Sequence, residues 1–338
     1  MKAAIIGLGS IAPVHYQAIL RAGGTVVALC DIDPEKRENF ARLTGSRAPL
    51  YADYREMLEK ETPDVVHICT PHYLHAPMVI DALRAGFHVL CEKPLCIREE
   101  DIAPIRAAAA DSGRQVAVCL QNRYNQSNLA ARDLLGGRTA DAGFASVVWA
   151  RGADYYRSGA WRGRWDTEGG GVMINQALHT LDLMLWFMGM PESVIATTEN
   201  RHLSGIIEVE DTASALFRYA DGRVFSFFAT TASGADFPVQ VMLRAADGTR
   251  IVAANDTLTV NGEIRPSPAG TLRYGKDVWG DGHAALVADY YRHLEEGRPF
   301  PVGTEAGANV LRAILAMYRS HGREVRLATD TKEETPCT

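Results

Sequence analysis

Lys93 and His179 lie far apart in the sequence, and both carry side chains that can exchange a proton with a substrate. Lys93 follows residues 87–91, an apolar segment that predicts a buried strand, and it precedes a proline. Because ligands of open α/β sheets bind beyond the carboxyl ends of the strands, we expect Lys93 to face a ligand. Glu92 is expected to position this loop or Lys93 rather than to react.

His179 belongs to residues 169–188, which predict one continuous helix opened by three glycines. Asn175, His179 and Asp182 are spaced at i, i+4 and i+7, so they would share one face of that helix. Asp182 is expected to have a structural role. A lone helical histidine is usually structural too, so the assignment of His179 and Asn175 to an active site depends on the family resemblance described below.

Gly7, Gly9 and Ala12 form the pattern G-x-G-x-x-A between an apolar segment and a predicted helix. Gly7 allows a tight turn, Gly9 lets the backbone approach a pyrophosphate, and Ala12 allows helix and strand to pack closely. The N–H groups at the start of the helix would bind phosphate, so we include Ser10 and Ile11 among the expected cofactor contacts. In this context the pattern predicts a dinucleotide-binding turn.

Asp31 follows a second apolar segment, residues 25–30, at the distance expected for the acid that hydrogen-bonds an adenosine ribose. A carboxylate there favours the free 2′-hydroxyl of NAD and repels the 2′-phosphate of NADP. Asp31 could instead cap the next helix, but Asp33 is better placed for that role. The predicted cofactor is therefore NAD.

Apolar segments at residues 64–69, 87–91 and 115–120 alternate with predicted helices. Such repeats predict an α/β fold with a doubly wound, parallel Rossmann sheet, which we assign to an NAD-binding domain of residues 1–122. The residues that follow these strands meet at one edge of the sheet. Those expected to contact the cofactor are Thr70, Pro71, His75, Glu92, Lys93 and Gln121.

Beyond residue 122 the sequence alternates as strands do, with apolar residues at every second position in several segments. These are residues 144–151, 194–198, 212–219, 223–231, 239–244, 250–254 and 258–260. Asp-Gly pairs at residues 221–222 and 247–248 predict hairpin turns, and local hairpins imply an antiparallel sheet. Residues 274–281, which include Trp279, predict a loop, and the polar residues from 328 onward predict a frayed end.

Aromatic and arginine side chains crowd into one glycine-containing loop between residues 155 and 165. Aromatic faces pack against sugar rings, and guanidinium groups bind hydroxyl, carboxylate or phosphate oxygens. Trp161, Arg162 and Trp165 are therefore expected to contact substrate, although a subunit contact would use the same residue types. The other expected substrate contacts are Arg123, just past the last Rossmann strand, and His283, which could also simply pack or cap a helix.

The bulk composition limits the class of protein. The chain has 338 residues, which favours two domains, and its 47% hydrophobic and 22% charged residues are typical of globular proteins. A net charge of −6 gives no reason to expect a nucleic acid or an anionic membrane as partner. No apolar stretch approaches the roughly 20 residues that span a bilayer. The six cysteines lack metal-type spacing, so we expect no metal site and a reduced, cytoplasmic protein.

Four features resemble the glucose–fructose oxidoreductase/inositol dehydrogenase (Gfo/Idh/MocA) family. They are residues 7–12, residues 85–94 around Lys93, residues 169–182 around His179, and Gly282-His283 before the last helices. The resemblance implies that residues 123–338 form an α+β domain for substrate binding and oligomerisation, with an open, mostly antiparallel sheet that commonly mediates homodimers or homotetramers. It also implies a cis peptide bond between Lys93 and Pro94.

The resemblance further implies hydride transfer between a nicotinamide cofactor and a secondary alcohol of a sugar, sugar derivative or cyclitol. Asn175 departs from the aspartate that several family members carry, so the acid–base work falls to His179 or Lys93. We assign His179 as the leading acid–base group and Lys93 as the group that polarises the reacting oxygen, although these roles could be exchanged. All three side chains are expected to contact substrate.

Two other functions stay open at this point. Some relatives hold NAD tightly and use a transient keto sugar for elimination or glycoside cleavage, with no net change of the cofactor. A sugar-sensing regulatory protein on a dehydrogenase fold is the alternative outside enzymes. A sensor has no need of an acid–base pair, so the presence of both Lys93 and His179 argues against it.

Overall fold

The computed structural model describes residues 1–254, 257–265 and 282–327. The predicted loop around Trp279 and the predicted frayed end from residue 328 lie outside these described residues. Within them, the chain forms a six-stranded sheet and a nine-stranded sheet, with helices packed against both.

The first sheet is parallel throughout and has the strand order β3-β2-β1-β4-β5-β6. Its strands are β1 (Lys2–Ile6), β2 (Thr25–Cys30), β3 (Leu50–Tyr51), β4 (Val65–Ile68), β5 (His88–Cys91) and β6 (Val116–Val118). The helices between them are α1 (Ala12–Arg21), α2 (Pro34–Thr44), α3 (Tyr54–Lys60), α4 (His75–Arg84) and α5 (Ile102–Ser112). Strands β1, β4 and β5 are almost wholly buried, as parallel strands are when helices cover both faces. The predicted Rossmann sheet is confirmed.

The strand order reverses at β1, which pairs with β2 on one side and with β4 on the other. A crevice opens beyond the carboxyl ends of the strands at such a switch point. The turns that leave this edge after β1, β4 and β5 carry Gly7, Thr70 and Lys93 respectively. The fold thus brings residues predicted from separate segments to one edge.

The second sheet has the order β14-β13-β12-β11-β7-β10-β9-β8-β15 and is antiparallel except for the pair β7–β10. Its strands are β7 (Ala142–Val148), β8 (Ser193–Glu199), β9 (Thr212–Arg218), β10 (Val224–Thr230), β11 (Gln240–Arg244), β12 (Arg250–Ala254), β13 (Thr257–Val260), β14 (Glu263–Arg265) and β15 (Glu324–Arg326). Both Asp-Gly turns join antiparallel neighbours, as predicted. The open, mostly antiparallel sheet is confirmed.

The later helices are α6 (Gln126–Leu134), α7 (Ala153–Arg157), α8 (Val172–Asn175), α9 (Leu178–Met188), α10 (Gly282–Glu295) and α11 (Thr304–Ser320). Helix α10 packs against α1, and α11 contacts β6 of the first sheet and β8 of the second. The C-terminal helices therefore touch both halves of the molecule, and the division at residue 122 stays a prediction. None of the helices in the described part of the chain is long and apolar enough to cross a membrane.

The single helix predicted over residues 169–188 is wrong. The three glycines stay outside helical structure, and α8 and α9 are separate helices. The break arises because the Ala177 N–H donates to the Val172 carbonyl five residues earlier, which widens the turn beyond the α-helical spacing of four. Asn175 and His179 therefore belong to different helices, and their spacing in sequence does not make them neighbours on one helical face.

Candidate active site

One pocket of about 820 Å³ lies between the carboxyl edge of the first sheet and strands β11 and β12 of the second. Most of the predicted site residues line it. These are Gly7, Gly9, Ser10, Ile11, Asp31, Thr70, Pro71, Glu92, Lys93, Gln121, Trp161, Arg162, Asn175, His179 and His283. The predicted residues that the structure places outside this lining are Ala12, His75, Arg123 and Trp165.

The turn between β1 and α1 has the shape of a dinucleotide cradle. Gly7 has a φ of +89°, and a Cβ there would lie 2.7 Å from the Cys69 carbonyl group, so this position requires glycine. A Cβ on Gly9 would meet nothing within 4 Å, which leaves room for a ligand. No side chain caps the start of α1 at Ile11. The Ala12 N–H donates to the Gly9 carbonyl at 3.2 Å and residue 13 is a proline, so the N–H groups that could meet phosphate are those of the turn before the helix. The fully buried Ala12 packs behind the turn.

Asp31 stands at the end of β2 with its carboxylate directed toward the same turn. Its Oδ2 accepts a hydrogen bond from the Leu8 N–H at 2.8 Å, and its Oδ1 accepts one from the Asp33 N–H at 2.9 Å. A carboxylate has about four lone-pair sites, so capacity remains for ribose hydroxyl groups. Asp33 caps α2 through the Glu35 and Lys36 N–H groups, which leaves Asp31 to the pocket.

Lys93 reaches from the first sheet to the second half of the molecule. Its Nζ donates to the Asn175 backbone carbonyl at 2.8 Å and lies 3.4 Å from Asn175 Oδ1. Burial lowers the pKa of Lys93, although the negative charges of Glu92 and Glu168 act in the opposite direction. The peptide bond between Lys93 and Pro94 is cis, as the family resemblance implies.

His75 supports this loop from behind and does not line the pocket. Its Nδ1 lies 2.6 Å from the Pro94 carbonyl oxygen, and its Nε2 lies 2.9 Å from the Thr70 carbonyl oxygen. The ring therefore ties the Lys93 loop to the turn after β4. This geometry suits a residue that positions the two loops, and the predicted contact of His75 with the cofactor stays a prediction.

His179, in the first turn of α9, lines the pocket. Burial, followed by the Lys93 charge, lowers the pKa of His179 to about 3, so the ring is neutral at neutral pH. Its Nε2 lies 3.4 Å from the Gln121 side-chain nitrogen, and its Nδ1 has no hydrogen-bond partner among the described residues. The Gln121 amide nitrogen can only donate, so in the neutral ring Nε2 is the acceptor and Nδ1 carries the proton. Nε2 is therefore the nitrogen that can take a proton from a bound alcohol.

Glu168 is a site residue that the sequence reasoning missed. Its fully buried carboxylate accepts hydrogen bonds from the Gly163 N–H at 2.5 Å and from Asn175 Nδ2. Burial raises the pKa of Glu168 to about 7. By holding Nδ2, Glu168 turns the Asn175 amide so that Oδ1 faces Lys93. The sequence offers one signal for Glu168, which is its position directly before three glycines. Nothing in the sequence links Glu168 to Asn175.

Of the three residues between positions 155 and 165 that were predicted to contact substrate, Trp161 and Arg162 line the pocket and Trp165 does not. Trp161 packs on His72 with ring centroids 4.6 Å apart, and the Arg162 guanidinium lies over the rings of Trp161 and Tyr155. Trp165 instead packs on Tyr318, and its Nε1 donates to the Glu208 carbonyl at 3.1 Å. Trp165 therefore lies outside the pocket lining, and its predicted contact with substrate stays a prediction.

Arg123 is paired with Asp182. Its guanidinium forms two parallel hydrogen bonds with the fully buried Asp182 carboxylate, at 2.9 Å and 2.6 Å. This pair links the turn after β6 to α9 outside the pocket. The geometry suits the structural role predicted for Asp182. Arg123 does not line the pocket, and its predicted contact with substrate stays a prediction.

Comparison with known proteins agrees with the fold. Residues 1–120 match the model of an oxidoreductase family with an NAD-binding Rossmann fold, GFO_IDH_MocA, and residues 142–263 match the C-terminal domain model of the same family. Inositol 2-dehydrogenase of Rubrobacter xylanophilus is 26% identical over 332 residues, which cover 89% of this chain and 92% of that protein. D-xylose 1-dehydrogenase (NADP(+)) 2 of Haloferax volcanii is 27% identical over 80% of this chain and 82% of its own length.

Among solved structures, the WlbA dehydrogenase of Bordetella pertussis in complex with NADH and UDP-GlcNAcA has a TM-score of 0.83 and 27% identity. The match covers 97% of this chain and 99% of that one. The two family models together span more than half of the chain. The first covers the segment that forms the parallel sheet, and the second covers most strands of the second sheet. The chain therefore belongs to the Gfo/Idh/MocA family of oxidoreductases, and its first domain is an NAD-binding Rossmann domain.

Proposed function

We propose that this protein is an NAD-dependent dehydrogenase or reductase that transfers a hydride between nicotinamide and a secondary alcohol of a sugar, sugar derivative or cyclitol. The observation that carries the proposal is the meeting of Lys93 and His179 in a pocket that also contains the dinucleotide cradle at residues 7–12. The names of the two curated dehydrogenases, which act on inositol and xylose, support the substrate class.

Bound NAD would supply the hydride acceptor, and the residues of the chain would supply binding and proton transfer. Residues 7–12 would hold the pyrophosphate, and Asp31 the adenosine ribose. In alcohol oxidation, His179 would take the hydroxyl proton. An ammonium group has three donors, so Lys93 can bond to Asn175 and still donate to the reacting oxygen. Asn175, whose amide is fixed by Glu168, would orient the substrate hydroxyl.

The function is tested by nicotinamide absorbance in single-turnover mixtures of protein, NAD and a panel of aldoses, uronic acids, inositols and glycosides. Appearance of NADH with one class would establish the dehydrogenase and name that class. If NAD binds and no compound yields NADH, the dehydrogenase proposal fails for this panel. Chemical change in the glycosides without NADH would then identify the redox-neutral alternative, and binding without any chemical change would identify the sensor.

We also propose that two copies of the chain associate through the face of the second sheet that the described residues leave exposed. Phe144, Phe228 and Met242 are each more than a third exposed on that face, and Phe144 pairs directly with Met242. Exposed apolar patches on a sheet mark contacts with other proteins, and the family resemblance implies a homo-oligomer.

The five described cysteines are buried and unpaired, which suits a reducing cytoplasm.

Replacement of Phe144 by lysine is expected to shift the protein to a smaller species, because a charge would be buried at the centre of the contact. Light scattering coupled to size exclusion measures the mass directly. Leu43→Lys is the matched control, since Leu43 is an exposed apolar residue on α2 of the other half. A wild-type protein that is monomeric at micromolar concentration would contradict the proposed assembly.

A further inference from the structure

A chain of four hydrogen-bonded side chains leads from the pocket into the core behind it. Glu92 Oε1 lies 2.8 Å from His15 Nε2, and His15 Nδ1 lies 2.9 Å from His67 Nδ1. His67 Nε2 lies 2.8 Å from the Tyr291 hydroxyl. All four residues are buried, and they come from α1, β4, the Lys93 loop and α10. Only Glu92 lines the pocket, so the other three can act on a ligand only through it.

The proton order in this chain follows from the chemistry of its members. A neutral imidazole has one donor and one acceptor nitrogen, and an ionised carboxylate only accepts. With Glu92 ionised, His15 donates from Nε2 and must accept at Nδ1. His67 then donates from Nδ1 and must accept at Nε2, where the Tyr291 hydroxyl is the donor. In this order every bond is made without a charge on either ring, and burial indeed lowers the pKa of His67 well below its usual value.

The reverse order requires a protonated Glu92 that donates to His15. His67 would then carry its proton on Nε2 and point an N–H at Tyr291. The Tyr291 hydroxyl could no longer donate its own proton to His67. Burial alone would raise the pKa of Glu92, but the hydrogen bond from His15 and the nearby charges hold it below its usual range. The tyrosine at the far end thus favours the order that keeps Glu92 ionised.

We propose that His15, His67 and Tyr291 are positioning residues that hold Glu92 as a carboxylate beside Lys93 and thereby favour the oxidised, cationic form of the bound nicotinamide cofactor. This inference rests on the proposed function only in that the cofactor binds with its nicotinamide toward the Lys93 loop. A fixed negative charge in a buried site attracts a positive ring more strongly than a neutral ring.

Several titratable groups face Glu92 from the elements packed around it. They are His15 of α1, His283 of α10, Lys93 and Cys91 of its own segment, Cys69, His72 and His75 after β4, Cys119 after β6, and His179 of α9. Burial lowers the pKa of His283 to about 4 and raises the pKa values of the three thiols. The charge of Lys93, the next residue in the chain, also acts to lower the pKa of Glu92.

The test replaces Tyr291 by phenylalanine, which keeps the ring and removes the donor to His67. Tyr290→Phe is the matched control. Tyr290 is the adjacent tyrosine on α10 and equally buried, but its hydroxyl donates to the backbone carbonyls of Val89 and Gln115 and not to the chain of histidines. Dissociation constants of NAD⁺ and NADH are measured by fluorescence from about pH 5 to about pH 8, a range above the ordinary pKa of a glutamate.

In the wild type and in Tyr290→Phe, Glu92 stays ionised across this range, so the ratio of the two dissociation constants should change little. In Tyr291→Phe the phenol no longer donates to His67, so the proton order can reverse and the His15 N–H that holds the Glu92 carboxylate is no longer fixed. Affinity for NAD⁺ relative to NADH should then fall by about 3- to 10-fold across this range, as expected for the loss of roughly one hydrogen bond.

A ratio in folded Tyr291→Phe that follows the wild type at every pH would overturn the inference. If Tyr291→Phe does not fold, His67→Asn replaces it, because an amide can present either its oxygen or its nitrogen to His15 and no longer fixes the proton order. The same fall in the ratio is expected there, and a wild-type ratio would again overturn the proposal. Failure of the wild type to bind either nucleotide would instead contradict the proposed function.

Discussion

Replacement of Lys93 by methionine is expected to lower kcat by about 10²- to 10⁴-fold, the range for loss of a positioned acid–base or polarising group. Methionine preserves most of the apolar stem of the lysine and removes the charge and the donors. Lys93 Nζ bonds to the Asn175 carbonyl across the pocket, so its ammonium group stands between the two halves of the site. The dinucleotide turn and Asp31 do not depend on this bond, and NAD should still bind with a similar dissociation constant.

Stopped-flow appearance of NADH, with the substrate identified from the panel, measures the effect. Lys60→Met is the control, because Lys60 is an exposed residue of α3 whose partner is the surface acid Glu56. Near-normal turnover in Lys93→Met would remove Lys93 from the mechanism. A loss of NAD binding that accounts for the whole effect would assign Lys93 to cofactor binding instead of chemistry.

The sequence predicts best those features that short segments specify alone. The turn at residues 7–12 follows from glycine positions, and two Asp-Gly pairs fix local hairpins in the second sheet. The parallel pairing of β7 with β10 and the addition of β15 to the edge at β8 join segments far apart in the chain. No local pattern encodes such pairings, because they depend on how the whole domain packs.

The same limit applies within the site. Lys93, Asn175 and His179 were found because each belongs to a motif with neighbours that identify it. Glu168 and His67 belong to no motif, and His67 lies inside an apolar strand where a histidine is simply predicted to be buried. Tyr291 is 224 positions from the histidine that it contacts. The residues that favour the ionised form of Glu92, through direct or successive hydrogen bonds, can be identified only when the fold is known.

Replacement of Asp182 by alanine is expected to lower the free energy of unfolding by about 3–5 kcal/mol, the usual cost of removing one partner from a buried ion pair. Asp182 is fully buried, and both of its oxygens accept from the Arg123 guanidinium, which is itself largely buried. The variant would leave that cation without a counter-charge. Urea denaturation of the protein without substrate measures the loss.

The double replacement of Arg123 by methionine and Asp182 by leucine removes both charges of the buried pair. It therefore separates the stability lost by leaving one charge unpaired from the net contribution of the ion pair to stability. Because both charges are absent, its loss of stability should be well below that of Asp182→Ala alone. A substrate-binding role for Arg123, as the sequence suggested, predicts instead a higher KM in the double variant. An unchanged KM with stability restored would place the pair in the framework of α9 that carries His179, and a raised KM would return Arg123 to the pocket.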